Sequence, residues 1–442
     1  MIKVITYGTF DLLHYGHISL LERAKALGDY LIVGVTSDDY DKSRGKINNH
    51  QTLSERIMAI RALGIADEVI VEEYEGQKID DVRKYDVDVF TVGTDWKGKF
   101  DYLSDYCKVV YLDRTEGISS TEVRAARNRV KIGLIGESNS DLTSLDKFFR
   151  EIQYVNGAIA HCANTDVGDL RVIEDYDELL NEVDAVYITS HPSKHYDQVR
   201  KALLRNKHVL CESPVTLNSL ETKELFELAE KNHCILMEGL KTAYVTAYER
   251  LILLAKTGKI GKVLSVDATC TSMKQLASYR KEELAKNWNT ITEWGPPVML
   301  PVFQILGTNY EEKRIFTRYL SKEVLYDDFT KIDFVYKDAV ACVKCAKGAK
   351  SEGELVITGT EGYIYVPAPW WKTDYFEIRY ENQSDNRRYF YQLDGEGIRY
   401  EIVAFTRMIE SGKNLPGINR ETSIAISKIM EAYYNGDVIE LK

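Results

Sequence analysis

The pattern of apolar and polar positions divides the chain into regions of different character. In the first region, short apolar runs predict strands at 3–7, 30–35, 68–71, 87–92 and 108–112. Helical patterns lie between several of these runs, at 18–27, 54–63 and 79–84. Strands that alternate with crossover helices are typical of a parallel, doubly wound sheet. We therefore expect an α/β domain of Rossmann-like topology at the start of the chain.

A second alternation of strands and helices begins at 130–136, where a buried run ends in Gly136. It continues through 184–188 and 208–211 to about Leu236 and predicts a dinucleotide-binding Rossmann domain. From about Lys262 the apolar positions repeat every second residue, which predicts a mainly antiparallel sheet. These runs lie at 263–271, 314–319, 332–336, 339–346, 354–358, 363–366 and 376–380, and two helices at 400–411 and 420–434 follow.

The overall expectation is an α/β chain with three domains. The first, at 1–129, has a Rossmann-like nucleotidyltransferase fold, and the second, at 130–250, is of the dinucleotide-binding Rossmann type. The third, at 251–442, is an α+β domain built on a mainly antiparallel sheet.

Composition and charge exclude several functional classes. The 442 residues carry a net charge of −11, and acidic residues outnumber basic ones both in 1–129 and in 130–442, so we expect no nucleic-acid partner. No apolar run approaches the ~18–20 residues of a membrane span, and a strand pattern begins directly after Met1 without a signal peptide. Seven scattered cysteines favour a reducing compartment. We predict a cytoplasmic protein without a membrane segment.

The first candidate site follows the first strand, at Tyr7-Gly8-Thr9-Phe10-Asp11-Leu12-Leu13-His14-Tyr15-Gly16-His17. His14 and His17 are three residues apart and share one helix face. The start of a helix adds unpaired backbone N–H groups, so the segment suits the phosphates of a nucleotide. Two imidazoles there can stabilise charge that develops during phosphoryl-type transfer. The alternative is that one histidine caps the helix and the other packs in the core.

The second candidate site is Arg114-Thr115-Glu116-Gly117-Ile118-Ser119-Ser120-Thr121. Its hydroxyl residues predict a capped helix start with further donors for an anion. On its own the segment is equally compatible with a capped helix and no ligand. Its combination with the histidine segment favours a nucleotide site.

These two motifs resemble those of bacterial glycerol-3-phosphate cytidylyltransferases, and the resemblance extends over residues 1–125. It includes the stretches 20–25, 28–33, 67–70, 88–90 and 95–101. The resemblance implies an enzyme that binds CTP, with Mg²⁺ on the triphosphate, and works as a homodimer or higher oligomer. It also implies transfer of CMP to a polyol phosphate, giving a CDP-polyol and pyrophosphate for teichoic-acid-like or capsular polymers.

The same resemblance assigns roles to residues at matching positions. Catalysis is expected from His14, His17 and Lys46, and Asp11 is a candidate Mg²⁺ ligand. Acceptor binding is expected from Arg44, Lys46 and Lys78, although a solvated loop is the alternative for 42–46. Nucleotide binding is expected from Thr9, Phe10, His14, Tyr15, Gly16, His17, Asp95, Arg114, Thr115, Glu116, Gly117, Ile118, Ser119, Ser120 and Thr121.

Departures from the family pattern concern the acceptor. They occur at Gly64, where an arginine expected to help bind CTP is missing, at Glu75 in place of a tryptophan-bearing stretch, and at Thr94. Glycerol 3-phosphate is the first acceptor to expect, and a different polyol phosphate is an open alternative.

Residues 130–442 resemble the glucose–fructose oxidoreductase family. The matching stretches are 130–136, 184–189, 192–195, 206–214, 258–263, 357–362 and 400–405. The family carries Glu-Lys-Pro, whose lysine donates the proton, whereas this chain has Glu212-Ser213-Pro214. The family's diglycine turn aligns with Trp294-Gly295, and its acid–base positions align with Met299 and Phe303. The site therefore lacks the proton-donating lysine and the acid–base side chains of the family.

The glycine loop after the strand at 130–136 also departs from the dinucleotide-binding pattern. It reads Gly136-Glu137-Ser138-Asn139 and lacks the second glycine that admits a pyrophosphate, so NAD(P) binding stays open. His195 is either a ligand contact or a packed turn histidine.

Three functions follow for the second half of the chain. The first is a catalytically impaired oxidoreductase-like module beside an active cytidylyltransferase. The second is an NAD(P)-dependent sugar-phosphate reductase that supplies the polyol phosphate, which would make the chain bifunctional. The third is a binding or assembly module without catalysis. Loss of the lysine at Ser213 favours the first.

Overall fold

The structure is a computed structural model that divides the chain into two compact units, Met1–Arg129 and Val130–Lys442. It describes residues 1–11, 13, 15–43, 49, 51–113, 130–136, 139–152, 158–163, 172–173, 175–276, 279–391, 393, 395–412 and 417–442. None of the helices in these ranges is long and apolar enough to cross a membrane.

The first unit is a five-stranded parallel sheet with helices on both faces. Its strands are β1 (Lys3–Gly8), β2 (Tyr30–Thr36), β3 (Glu68–Glu72), β4 (Val89–Gly93) and β5 (Lys108–Leu112). Its helices are α1 (Tyr15–Lys25), α2 (Asp38–Ser43), α3 (Leu53–Ala62) and α4 (Gln77–Tyr85). The strand order is β3-β2-β1-β4-β5, so the direction of winding reverses between β1 and β4. Ligands of doubly wound sheets bind outside the strand ends at this switch point.

Buried side chains on both faces hold this sheet. Leu21 and Ala24 of α1 and Ile60 of α3 pack with the strands on one face. Val82 of α4 packs with Phe90 on the other face. The two layers fix the helix starts beside the carboxyl ends of the strands.

The second unit begins with a six-stranded parallel sheet in the order β11-β10-β9-β6-β7-β8. Its strands are β6 (Val130–Ile135), β7 (Ala158–Ala163), β8 (Val172–Ile173), β9 (Ala185–Ile188), β10 (His208–Glu212) and β11 (Leu236–Gly239). The helices are α5 (Asn139–Ile152), α6 (Tyr176–Glu182), α7 (His195–Leu204), α8 (Ser219–Lys231) and α9 (Thr246–Lys256). Winding reverses between β6 and β9, as in dinucleotide-binding folds.

A nine-stranded sheet completes the second unit, in the order β19-β18-β17-β16-β12-β15-β14-β13-β20. The strands are β12 (Val263–Thr271), β13 (Glu312–Ser321), β14 (Tyr326–Val335), β15 (Val340–Ala346), β16 (Leu355–Gly359), β17 (Tyr363–Val366), β18 (Tyr375–Arg379), β19 (Arg387–Phe390) and β20 (Ile439–Glu440). Neighbouring strands are antiparallel, except that β12 pairs parallel with β15 and β13 pairs parallel with β20. The helices are α10 (Lys281–Leu284), α11 (Thr290–Leu306), α12 (Ile398–Ser411) and α13 (Arg420–Tyr434). The predicted fold class is confirmed.

The expected turn at Trp294-Gly295 is wrong, because both residues lie inside α11. The helix contains Pro296, Pro297 and Pro301, which remove backbone donors and normally break a helix. Its apolar residues are buried almost all round, so packing against the sheet outweighs the local propensity.

Candidate active site

The candidate site of the first unit lies at the carboxyl ends of β1 and β4, at the switch point of the sheet. A cavity of about 60 Å³ opens there. Its lining comes from the ends of four strands and from two further segments: Tyr7, Gly8, Thr9, Thr36, Glu72, Lys78, Val92, Trp96 and Phe100. The edge where a doubly wound sheet binds ligands therefore carries aromatic rings, a carboxylate and an ammonium group.

The turn after β1 is shaped by Phe10, whose backbone is left-handed with φ 53°. Its ring is 2% exposed and meets the imidazole of His17 edge-on, with ring centroids 5.5 Å apart. A Cβ on Gly8 would lie 3.0 Å from the Phe10 ring, so glycine at this position lets the ring fold back over the strand end. Burial and ring contact hold an unfavourable backbone conformation next to the site.

Helix α1 starts directly after this turn, with Tyr15, Gly16 and His17 in its first turn. The first turn of a helix presents backbone N–H groups and partial positive charge to a phosphate. Thr9, Phe10, Gly16 and His17, which the sequence predicted for nucleotide binding, are thus brought together at one edge. The side chain of Tyr15 lies outside the part of the chain that the structure describes.

Arg56 of α3 is a site residue that the sequence did not predict. Its fully buried guanidinium donates to the backbone oxygens of Thr9 (2.6 Å) and Thr36 (2.9 Å) and to the carboxylate of Asp38. It also lies 3.8 Å from Asp41, whose Oδ1 accepts a hydrogen bond from the Thr9 hydroxyl at 2.9 Å. Arg56 therefore fixes Thr9 through both its backbone and its side-chain partner.

One signal could have identified Arg56. It lies four residues before Ile60, on the face of α3 that packs on the sheet. A guanidinium is almost never fully buried without partners, so an arginine on an apolar helix face indicates a buried network.

Lys78 lies at the cavity, as expected for an acceptor-binding residue, and it is 6% exposed. Its ammonium contacts the buried carboxylate of Glu72 and lies 4.7 Å from the ring centroid of Tyr7 and 5.3 Å from that of Phe100. The Thr36 hydroxyl donates to the second Glu72 oxygen at 2.9 Å. The cavity therefore presents an ammonium–carboxylate pair.

A second hydrogen-bonded pair supports the cavity wall. The Tyr7 hydroxyl donates to Asp81 of α4 at 2.8 Å. Burial first, and then the charge of Asp81, raises the pKa of Tyr7 well above its ordinary value. Tyr7 is therefore a neutral donor that fixes the wall.

The two predicted carboxylates differ in exposure. Asp95 is exposed in the short helical turn Thr94–Trp96, directly after β4. Asp11 is 3% exposed, and its Oδ1 accepts the backbone N–H of Gln51 at 2.9 Å. Both belong to the edge that carries His17. Of the other predicted residues, His14, Arg44, Lys46 and 114–121 lie outside the described residues.

In the second unit, Ser213 follows β10 and is 4% exposed. Its hydroxyl donates to the carboxylate of Glu238, which is buried at β11, and burial raises the pKa of Glu238. Glu212 accepts a hydrogen bond from the Tyr187 hydroxyl. The serine at the position of the family's lysine is therefore engaged in a buried hydrogen bond.

The remaining residues of the altered oxidoreductase site are packed. Met299 is fully buried, and the Phe303 ring lies edge-on to Phe334 of β14 with centroids 5.5 Å apart. His195 is fully buried, with ring nitrogens 2.9 Å from the Pro214 oxygen and 2.6 Å from the Ser190 oxygen. His195, the first residue of α7, is thus a packed histidine that supports the Ser213-Pro214 segment.

Comparison with known proteins identifies relatives of both units. Residues 153–240 match the model of an oxidoreductase family with an NAD-binding Rossmann fold. A similar solved structure is the 3-ketoreductase KijD10 from Actinomadura kijaniata in complex with NADP and TDP-benzene, with 16% identity and a TM-score of 0.62 over 71% of this chain and 99% of that chain. An NAD binding oxidoreductase from Klebsiella pneumoniae gives a TM-score of 0.58 and 16% identity over 69% of this chain and 96% of that chain. The second unit has the fold of these oxidoreductases.

Residues 5–126 match the cytidylyltransferase-like family model. The chain is 52% identical over 124 residues to the glycerol-3-phosphate cytidylyltransferases of Bacillus spizizenii and Bacillus subtilis, which covers 28% of this chain and 95% of each relative. The enzyme of the same name from Staphylococcus aureus is also 52% identical, with 93% of its length covered. Both sequence resemblances are confirmed. Through its first unit the chain belongs to the glycerol-3-phosphate cytidylyltransferase family and is a nucleotidyltransferase.

Proposed function

We propose that the first unit transfers CMP from CTP to a polyol phosphate, with glycerol 3-phosphate as the first acceptor, and releases pyrophosphate. The 52% identity over 124 residues to enzymes named glycerol-3-phosphate cytidylyltransferase carries this proposal. The geometry supports it, because Thr9, Phe10 and His17 lie at the ligand edge of the sheet beside the cavity that contains Lys78. The product would be a CDP-polyol for a cell-surface polymer.

In the proposed reaction, an oxygen of the acceptor phosphate attacks the α-phosphorus of CTP. The new P–O bond forms as the bond to pyrophosphate breaks, so the enzyme forms no covalent intermediate. His17, in the first turn of α1, and His14 stabilise the charge on the five-coordinate phosphorus. Residues 114–121 hold the base and the leaving pyrophosphate.

Acceptor binding is proposed for Arg44, Lys46 and Lys78. Lys78 binds the acceptor together with Glu72, because the two side chains are in contact at the cavity. The ammonium attracts the phosphate, and the carboxylate accepts a hydrogen bond from a polyol hydroxyl. An acceptor that carries both a phosphate and a hydroxyl group is therefore complementary to the Lys78–Glu72 pair.

We propose that a Mg²⁺ ion binds at this edge together with CTP, with Asp11 as a candidate ligand. Mg²⁺ prefers oxygen ligands and is usually bound by one or two carboxylates together with substrate phosphates. Asp11 and Asp95 supply carboxylates at the edge that carries His17. The ion neutralises triphosphate charge when bound.

A synthesis assay tests this function. The full chain is incubated with Mg²⁺, one of the four ribonucleoside triphosphates, and the phosphate of glycerol, erythritol, ribitol, arabinitol or mannitol. We expect a ³¹P signal of a CDP-polyol diester that requires both CTP and one acceptor. Equal turnover with all four nucleotides, or no diester with any acceptor, would contradict the proposal.

For the second unit we propose NAD(P) binding without hydride transfer through Ser213. Its sheet has the dinucleotide-binding order, and α5 follows β6 at the switch point, where a helix N-terminus can face a pyrophosphate. Ser213 has no ammonium and already donates to Glu238. NADPH fluorescence on titration with the full chain measures binding directly. Steady NADPH oxidation with a sugar phosphate would instead support the bifunctional reductase. A dimeric assembly and a cytoplasmic location stay predictions.

A further inference from the structure

Three lysine side chains of the second unit converge on one carboxylate, that of Glu396. Its Oε1 lies 2.8 Å from the Lys372 ammonium, and its Oε2 lies 3.1 Å from Lys147 and 3.6 Å from Lys241. We call these four residues the lysine cluster. Within these four residues three ammonium groups face one carboxylate, and the Glu212 and Glu401 carboxylates also act on Lys241.

The lysines come from three separate segments that the fold holds together. Lys147 lies on α5, Lys241 follows β11 in a short helical segment, and Lys372 ends the helical turn Trp370–Lys372. The Thr242 hydroxyl donates to the Trp371 backbone oxygen at 2.9 Å, which ties the second segment to the third. The convergence is therefore fixed by packing between elements.

The carboxylate is held in place by an unfavourable backbone. Glu396 has φ 53°, between Gly395 at 56° and Gly397 at 93°. A Cβ on Gly395 would lie 2.2 Å from the Glu151 carboxylate of α5, and one on Gly397 would lie 2.9 Å from Val245. Both glycines are thus needed for their conformation and for close approach, so the loop places the carboxylate at a backbone cost.

Stability alone gives a weak reason for this arrangement. Partly exposed ion pairs contribute little to stability, and neighbouring ammonium groups repel each other. The side chains of Lys241 and Lys372 are 29% and 32% exposed, so an anion from solution can reach them. The three ammonium groups, Lys372 first and then Lys147 and Lys241, lower the pKa of the Glu396 carboxyl to about 2. This direction is expected for a carboxylate beside several positive charges.

We propose that the lysine cluster is a binding site for the phosphate group of a phosphorylated ligand, and that the Glu396 carboxylate holds the position of that group in the unliganded protein. A phosphate monoester dianion has tetrahedral oxygens that can accept hydrogen bonds from all three ammonium groups. Binding then exchanges one carboxylate for a phosphate and releases the strained 395–397 loop.

Site-resolved lysine labelling of the full chain tests this site separately from the first unit. The protein is acetylated with and without inorganic phosphate, glycerol 3-phosphate, CTP or NADP⁺, and labelled peptides are quantified by mass spectrometry. We expect phosphate compounds to protect Lys147, Lys241 and Lys372 several-fold, and the most effective compound identifies the source of the group. Lys201, an ion-paired lysine of α7, serves as the control and should not be protected.

Substitution of the carboxylate distinguishes a binding site from a structural ion-pair network. In Glu396→Gln one competing charge is lost, so half-protection should require about thirtyfold less phosphate dianion, the effect of one unit charge on a doubly charged ion at ~4 Å in a water-like medium. Protection of the three lysines no greater than that of Lys201, or weaker protection in Glu396→Gln, would overturn the proposal. If Glu396→Gln does not fold, Lys372→Gln takes its place, and it should abolish phosphate protection of Lys241. Undiminished protection in that variant would also overturn it.

Discussion

Removal of Arg56 is expected to destabilise the first unit strongly, because its guanidinium is fully buried with several partners. In Arg56→Ala the backbone oxygens of Thr9 and Thr36 lose their donor, and Asp41, itself fully buried, loses its nearby cation. Breaking a buried pair by removing one partner costs about 3–5 kcal/mol. We expect the free energy of unfolding of this unit to fall by that amount.

Hydrogen exchange followed by mass spectrometry measures this cost in the full chain. Peptides from β1 and α3 report the opening free energy of the first unit without a contribution from the second. Arg56→Lys keeps the charge but loses the planar fork of donors, so it should cost about half as much as Arg56→Ala. Arg61→Ala, at an exposed position of the same helix, is the matched control, and its effect should stay within about 0.5 kcal/mol.

Two results would refute this reasoning. One is an Arg56→Ala protein whose β1 and α3 peptides exchange with an opening free energy within about 1 kcal/mol of the original. The other is an equal loss for Arg61→Ala, which would mean that burial and hydrogen bonding do not distinguish the two arginines.

Three further predictions concern single side chains. Lys78→Ala should raise the KM for the acceptor at least tenfold and the KM for CTP much less, as measured by steady-state kinetics; equal increases would contradict an acceptor role. Ser213→Ala removes the donor to Glu238 and should cost the second unit about 1–3 kcal/mol in urea unfolding, with pyrophosphate release unchanged. Burial raises the pKa of Asp327 to about 6, so its native carboxyl binds a proton that the unfolded one lacks, and this stabilisation is lost as pH rises through 6. Relative to Asp327→Asn, the original protein should therefore lose about 1.4 kcal/mol of stability between pH 5 and pH 8, and a pH-independent difference would contradict the assignment.

Periodicity predicted most of the fold, because buried strands and amphipathic helices leave a clear pattern. The strand at 263–271 and the helix at 420–434 have the predicted bounds. Helix α11 was missed because its prolines indicate a break, whereas burial between the sheet and neighbouring helices is a tertiary effect. Local pattern does not contain that information.

The first candidate site was predicted in part. The glycine turn and His17 were predicted because they are adjacent in sequence and carry a family motif. The Glu72 partner of Lys78 was not predicted, since its pairing depends on how β3 and α4 pack. Arg56 was missed because a charged residue in a helix pattern is usually exposed. The lysine cluster joins residues from Lys147 to Glu396, so only the folded chain brings its members together.

The central claim is that His17 stabilises the transition state of CMP transfer. The most direct test is the rate of acceptor-dependent pyrophosphate release from CTP by His17→Ala. Loss of one preorganised stabilising group costs about 10²–10³ in kcat, so we expect a fall of at least a hundredfold in a protein that still folds. The control His233→Asn, at an exposed position of the second unit, should keep the original rate. A His17→Ala protein that retains more than a tenth of the original rate would contradict the account.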